Sequence, residues 1–259
     1  MDNQILSTIL PLSFFAFFAG LIDSIAGGGG LIQLPALLIF LPTQPIVNLL
    51  GTNKLISVSG TSVATLQYAR KVPIAWKYVL FTAGSAFIFS MFGARVVSMM
   101  KPSNLRPIII VLLVIITIYT FLKKDFGSNQ APRLSLVMQR WIGIITGAII
   151  GFYDGFFGPG TGSFLIFIFV VVYGLNFLQA SASSKVVNLS TNIAAVLFFG
   201  LSGHIILWLA LPLAVSNVLG AFVGARLAIL KGSKFIRIMF LIAAVVIITK
   251  LTYDTFFTG

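Results

Sequence analysis

The stretch GFYDGFFGPGTGSF, residues 151–164, interrupts a long apolar run with five glycines, one proline and an aspartate. Glycine and proline weaken a helix, and a carboxylate inside an apolar helix is costlier still. The same arrangement occurs earlier as GLIDSIAGGGGLIQ, residues 20–33, at an offset of 131 residues. A chain that repeats such an unfavourable segment at a fixed distance is predicted to contain two copies of one unit.

The offset of 131 residues extends well beyond the glycine segment and needs no gap. Charged residues are only 8% of the chain, so matched charged positions are not easily chance. We therefore predict two homologous halves, 1–130 and 131–259, joined by the polar stretch KKDFGSNQAPR at 123–133. The matched positions include Asp23 and Asp154, Lys54 and Lys185, Ser59 and Ser190, and the GAR triplets at 93–95 and 224–226.

The composition places the chain in a membrane. Hydrophobic residues make up 58% and the mean hydropathy is +1.07, whereas a water-soluble domain carries roughly 25% charged residues. The apolar runs are continuous rather than alternating, which excludes a barrel and predicts an all-α polytopic protein. The net charge of +12 lies mostly in short connections, so it indicates orientation and lipid headgroup contact rather than nucleic-acid binding.

Two further features limit the chemistry. The chain has no cysteine, which excludes disulfides, thiolate metal sites and cysteine nucleophiles. The first run starts near Ile5 without a basic region before it, so we expect a retained span rather than a signal peptide.

Each half is expected to contain four long helices and one short segment that follows the glycine cluster. The predicted runs are 5–26, 31–41 (short), 46–69, 76–99 and 107–122, then 136–157, 163–174 (short), 177–201, 205–229 and 235–257.

The short runs decide whether there are eight or ten spans. At 1.5 Å per residue each covers about half of a ~30 Å hydrocarbon layer, so it could re-enter or cross. Re-entrant runs would divide the basic residues of the connections 8 to 7. Crossing runs would leave Arg95, Lys101, Arg106 and Lys250 on one side and the other eleven opposite. This asymmetry favours five crossings per half, hence inverted halves, with both termini outside.

Lys54 and Lys185 lie within apolar runs at matched repeat positions. A lysine at the centre of a membrane helix costs about 2.5–3.5 kcal/mol on insertion scales. Snorkelling to the interface is the simpler explanation, but the recurrence among small polar residues favours a buried cavity. The residues expected to face it are Thr52, Asn53, Lys54, Ser57, Ser183, Ser184, Lys185, Asn188 and Asn192.

The glycine clusters GGGG, 27–30, and GPGTG, 158–162, free backbone groups from helical hydrogen bonds. Such groups are tolerated at membrane depth only inside protein or around a cavity. The short helix after each cluster starts with free N–H groups, which suit an anion, although glycines also serve tight helix packing. The residues expected to contact a substrate are Gly28, Gly29, Gly30, Gly160, Thr161 and Gly162.

Asp23 and Asp154 precede their clusters by four residues. Three roles are open: pairing with a lysine, accepting backbone N–H bonds, or carrying a coupling proton. The single histidine, His204, lies in a connection, and neither a catalytic set nor a metal-ligand cluster is recognisable. We therefore expect no enzyme, metal or cofactor, with an anion channel or an intramembrane enzyme as alternatives to a transporter.

The chain resembles the sulfite exporter TauE/SafE family. The resemblance rests on AGLIDSIAGGGGLIQLPALL at 19–38, GTNKL at 51–55, GFYDGFFGPGTGSFL at 151–165 and ASASSKVVNLSTN at 180–192. It implies a plasma-membrane permease for small sulfur-containing or carboxylated anions, such as sulfite, sulfoacetate and other organosulfonates.

These observations give one hypothesis for mechanism. Lys54 and Lys185, brought together by a pseudo-two-fold axis, are expected to neutralise a small anion near the midplane while the glycine N–H groups bind its oxygens. Rocking of the halves would then alternate access. The expected partners are the anion and membrane lipid, with a coupling proton and self-association left open.

Overall fold

The structure, a computed structural model, describes residues 2–101 and 135–257, which form eight helical elements with short connections. The predicted run 107–122 and the linker 123–133 lie outside the described residues. In chain order the helices are α1 (Asp2–Ala26), α2 (Gly30–Phe40), α3 (Ile46–Lys71), α4 (Trp76–Ser98), α5 (Leu136–Phe156), α6 (Thr161–Val171), α7 (Phe177–Leu201) and α8 (Leu207–Phe257).

The helix bounds follow the predicted runs closely, and the sequence offset recurs in them. The starts of α2 and α6, of α3 and α7, and of α4 and α8 are each 131 residues apart. The predicted runs 205–229 and 235–257 together correspond to the range of α8. That range contains two helices that meet at a kink, where Gly232 has non-helical angles (φ 71°, ψ −166°), and the kink lies between the two predicted runs.

Glycine ends α1 and α5 for a conformational reason. Gly27 has a φ of 69° and Gly158 a φ of 100°, values in the left-handed region that side chains with a Cβ rarely adopt. The chain can therefore turn sharply after α1 and α5 and begin the short helices α2 and α6 close to the helices it has just left.

Three helices, α1, α3 and α8, run in the same direction. In each pair of these helices, the residue numbers of the contacting positions increase together along both helices, as they do in parallel helices. Small residues allow the backbones to approach closely. The contacts that fix these directions are Gly20 with Asn217 and Gly224 with Leu21 for α1 and α8, and Gly60 with Asn217 and Gln67 with Phe222 for α3 and α8.

The helices α4, α5 and α7 run in the opposite direction to those three. The residue numbers of the contacting positions again increase together for α4 with α5 and for α4 with α7, so these three helices are parallel. For α3 with α7 the residue numbers increase along one helix and decrease along the other, so these two helices are antiparallel. The contacts are Gly147 with Thr82 and Gly155 with Ser90 (α5 with α4), Ser190 with Ala83 and Ser183 with Ala75 (α7 with α4), and Lys54 with Asn192 and Thr65 with Lys185 (α3 with α7).

The outer surface of this bundle is apolar. Among the described residues, four helical segments are long and apolar enough to cross a membrane: Thr8–Ala26, Trp76–Ser98, Phe177–Leu201 and Leu207–Ile236. Large side chains such as Phe14, Ile88 and Leu211 are exposed on them, as expected for surfaces in contact with lipid. The described part of the chain is therefore all helical, the protein is a multi-pass membrane protein, and a set of its polar residues is buried inside the bundle.

Candidate functional site

The two glycine clusters are in direct contact at the centre of the bundle. A Cβ on Gly27 would overlap the backbone of Gly162 and Ser163, so the clusters pack backbone against backbone. The hydroxyl of Ser163 lies 3.1 Å from the carbonyl oxygen of Ala26 and 2.7 Å from that of Gly27, and it donates to them across the two halves. The two helix breaks therefore form one site rather than two.

Two buried ion pairs connect the halves reciprocally. Lys54 Nζ lies 2.7 Å from Asp154 Oδ2, and Lys185 Nζ lies 2.9 Å from Asp23 Oδ2. Each lysine thus pairs with the aspartate of the other half, and the four charges cancel. Buried charges are tolerated when they are paired in this way. Of the roles left open for the aspartates, lysine pairing is present at both.

The Asp23 carboxylate has additional partners. Its Oδ1 accepts hydrogen bonds from the backbone N–H groups of Gly28 (3.2 Å) and Gly29 (3.3 Å), and Lys185 also donates to the main-chain oxygen of Asp23. This aspartate therefore joins its lysine to the backbone of the helix break.

The Asp154 carboxylate sits in a different setting. The position that matches Gly28 is Pro159, which has no N–H to donate. Its lysine, Lys54, instead donates to the side-chain oxygen of Asn192 (3.3 Å), whose amide group donates to Asn188 Oδ1 (3.3 Å). The two pairs are therefore equivalent in sequence position but not in environment.

A small polar cavity lies between the clusters. Its volume is about 20 Å³, room for about one water molecule. The Oδ1 atom of Asn53 is buried at this cavity without a hydrogen-bond partner among the described residues. The wall consists of Asp23, Gly28, Gly30, Asn53, Lys54, Ser57, Asp154, Gly158, Gly160, Thr161, Gly162, Asn188 and Asn192.

Most residues predicted from sequence to bind substrate are in this wall, and five are not. Lys185 is fully buried behind Asp23. Gly29 packs against Ala19 of α1, and Ser184 donates to the carbonyl of Ser181 in its own helix.

The other two predicted residues outside the wall, Thr52 and Ser183, make matching contacts of another kind. The Thr52 hydroxyl accepts from the N–H of Ile206 (3.0 Å), just before α8, and the Ser183 hydroxyl accepts from the N–H of Ala75 (3.5 Å), just before α4. Each hydroxyl thus serves an orphan donor at the start of a helix in the other half.

Several polar contacts near the site were not predicted. Ser163 is one, and it follows directly after the glycine cluster. Tyr68 is another: its hydroxyl donates to the carbonyl of Ser24 near the end of α1 (2.9 Å). A third is the buried pair in which Asn217 Nδ2 donates to Gln33 Oε1 (3.2 Å). Gln33 and Asn217 each lie within an apolar run, and a polar residue in such a run is the sequence signal that could have found this pair.

Within the described ranges, no group of three or more histidine, cysteine or acidic side chains could hold a metal ion. The arrangement instead offers an ammonium group, amides, hydroxyls and the N-terminal ends of α2 and α6 around one cavity. These groups are donors for a small polar or anionic ligand.

Comparison with known proteins points to transport. Residues 12–251 match the family described as Sulfite exporter TauE/SafE. The chain is 37% identical over 244 residues to the probable membrane transporter protein YfcA of Escherichia coli (strain K12), with 94% of this chain and 89% of that protein covered. It is also 37% identical to the probable membrane transporter protein ORF9 of a Sinorhizobium species (92% and 90% covered). A probable membrane transporter protein of Haemophilus influenzae is 34% identical (92% of each covered). No solved structure gave a significant match.

Proposed function

Because the chain belongs to the sulfite exporter TauE/SafE family of membrane transporters, we propose that it carries small sulfur-containing or carboxylated anions across the plasma membrane. Sulfite, sulfoacetate and other organosulfonates are the proposed substrates. The cavity between the glycine clusters is the proposed binding site.

The observation that carries this proposal is the meeting of two helix N-termini with a lysine at one cavity. Gly30 and Thr161, the first residues of α2 and α6, are both in the cavity wall with Lys54. Helix N-termini bear positive partial charge and free N–H groups, which favour anions. Asn53, Asn188 and Asn192 would add amide donors that orient oxygens of the ligand.

The cavity as described is too small for a multi-atom anion. With room for about one water, it corresponds to a state closed to substrate, so binding needs the wall to widen. A continuous open pore fits this closed centre less well than alternating access does.

Opposed halves support an alternating-access mechanism. The matched helices α3 and α7 run in opposite directions, as do α1 and α5, and α4 and α8. We propose that the halves are inverted repeats, a common plan for secondary transporters in which one half moves against the other around a midplane site.

The direction of the chain also supports crossing short helices. Because α3 runs in the same direction as α1, α2 must return the chain toward the side where α1 began. By the same argument α6 crosses between α5 and α7. The proposal is thus five crossings per half, with 107–122 as the fifth crossing of the first half and the part of α8 after the kink at Gly232 as that of the second.

Basic residues indicate the orientation. Arg70 and Lys71 end α3, and Lys77 and Arg140 line one groove near the starts of α4 and α5. These ends lie on one side of the bundle, and the positive-inside rule assigns that side to the cytoplasm. The start of α1 then lies outside, and we propose that both termini do.

Transport by the purified protein in liposomes tests the proposal. The wild type should take up or release at least one anion from a panel of sulfite, sulfoacetate, other small sulfonates and small carboxylates. Lys54→Ala should abolish this flux. Lys71→Ala provides a matched control, since Lys71 is an exposed lysine in the same helix, and it should leave the flux unchanged.

Two results would contradict the proposal. Wild-type protein that moves no anion of the panel would remove the substrate class. Lys54→Ala protein that is folded and transports at the wild-type rate would remove the site.

A further inference from the structure

We infer that the two buried ion pairs have different roles. The Lys54 ammonium leaves Asp154 and pairs with the anion when the anion binds, whereas the Lys185–Asp23 ion pair stays intact and holds the helix break in place. When the anion pairs with the Lys54 ammonium, the Asp154 carboxylate takes up one proton. This inference rests on the proposed function, because it assigns the anion and its coupling proton to one half of the same site.

The Lys185–Asp23 pair is held by four contacts. Lys185 is 0% exposed, lies outside the cavity wall and bonds both the carboxylate and the main-chain oxygen of Asp23. The second carboxylate oxygen is occupied by the N–H groups of Gly28 and Gly29. Opening this pair would break the ion pair and detach the helix break from α7, so it suits a fixed connection.

The Lys54–Asp154 pair is in the cavity wall on both sides. Lys54 and Asp154 both line the cavity, and the remaining partner of Lys54, Asn192, lines it too. Pro159 removes the backbone donor that Gly28 supplies in the other half. An ammonium has three N–H donors, so Lys54 can turn from Asp154 to a ligand while it keeps its bond to Asn192.

The exchange requires a proton. The Asp154 side chain is 2% exposed, and a buried carboxylate that loses its partner is strongly unfavourable. A proton from water on the Asp154 carboxylate converts it to a neutral carboxylic acid, and the Lys54 ammonium then compensates the anion. One proton therefore accompanies each anion bound.

The surroundings of Asp154 contain no other described cation that could replace this proton. Lys54 of α3 and Asp23 of α1 are the charged groups in the cavity wall, and α6 and α7 contribute only glycines, amides and one hydroxyl to it. The neighbouring Tyr153 donates its hydroxyl to the carbonyl of Pro159. On the α4 side, Ser90 donates to the carbonyl of Thr191.

Two matched variants, Asp154→Asn and Asp23→Asn, test the inference. Asp154→Asn leaves Lys54 permanently unpaired, so sulfite, sulfate or phosphate should raise its thermal unfolding midpoint, with an apparent affinity at least about tenfold tighter than that of the wild type for the best of them. Asp23→Asn should show no such gain, because Lys185 stays outside the cavity.

This comparison separates the inference from the proposed function, which wild-type transport tests. An anion effect in Asp154→Asn alone supports unequal pairs even if the wild type transports nothing. An equal effect in Asp23→Asn, or none in Asp154→Asn, would overturn the inference.

Proton counting provides a second measurement if Asp154→Asn does not fold. Calorimetry in buffers of different ionisation enthalpy should give about one proton taken up per anion by the wild type. The neutral double variant Lys54→Met/Asp154→Asn should bind no anion. Wild-type binding without proton uptake, or no wild-type binding in this case, would refute the exchange.

Discussion

The close contact between the two glycine clusters gives a quantitative prediction for Gly27→Ala. Gly27 has a φ of 69°, and a Cβ there would overlap the backbone of the other cluster. Alanine in the left-handed region costs about 1–2 kcal/mol, and forcing an extra carbon into packed atoms costs about 1–3 kcal/mol more. The expected loss is therefore about 2–5 kcal/mol.

Gly203→Ala is the matched control. Gly203 has nearly the same φ, 73°, but nothing lies within 4 Å of the position of a Cβ. It should lose only the conformational part, about 1–2 kcal/mol. The difference between the two variants isolates the contact between the clusters.

Thermal unfolding of the protein in detergent, followed by far-UV circular dichroism, measures this difference. At about 2–4 °C per kcal/mol for a chain of this size, Gly27→Ala should unfold on the order of 2–12 °C below Gly203→Ala. Equal midpoints would show that the clusters are not packed backbone to backbone, and the geometry of the site would then be wrong.

Three further predictions concern packing and hydrogen bonds around the site. Gly151→Ala should lower the free energy of unfolding by about 1–3 kcal/mol, because its Cβ would overlap the backbone of α4. Gly84→Ala, with nothing within 4 Å of its Cβ, should leave it unchanged or raise it by up to about 1 kcal/mol. Thermal melts of the two variants compare them, and equal losses would contradict the α4–α5 packing. Ser163→Ala should lose about 1 kcal/mol with its bonds to the first cluster, and an unchanged midpoint would count against those bonds. Thr52→Val should speed hydrogen exchange at the start of α8 more than Ser183→Ala does at the start of α4, because the bonds are 3.0 and 3.5 Å long; the reverse order would contradict this ranking.

Much of the helical framework could be predicted because a membrane helix has a long, continuous run of apolar residues in its sequence. The predicted run 46–69 is observed as Ile46–Lys71, and 76–99 as Trp76–Ser98. The interval between the predicted runs 205–229 and 235–257 contains the basic, glycine-containing stretch KGSK, and the kink at Gly232 lies within it. One residue with non-helical angles is enough to separate the two helices there, and composition alone does not predict how short such a connection is.

The sequence predicted which residues lie at the site better than it predicted which of them pair with one another. Polar residues inside apolar runs indicated a cavity, and most of them line one. The pairing of Lys54 with Asp154 depends on which helices become neighbours, a tertiary property. Thr52 illustrates a second limit: it precedes Asn53 of the cavity wall, but its hydroxyl contacts the N–H of Ile206 instead, and only the packing of the helices decides between the two.

Unequal pairs within a repeated framework follow from two substitutions. A perfectly repeated chain would give two identical ion pairs, and an anion approaching the cavity would meet two equally closed lysines. Pro159 in place of Gly28 removes a donor from one aspartate, and Asn192, at the position matched by Thr61, gives one lysine a neutral partner inside the cavity. Both changes fall on the Lys54–Asp154 side. The repeat thus supplies two buried ion pairs in which each charge is compensated by its partner. The differences at Pro159 and Asn192 leave the Lys54–Asp154 pair able to open for the anion, while the Lys185–Asp23 pair keeps the broken helices joined.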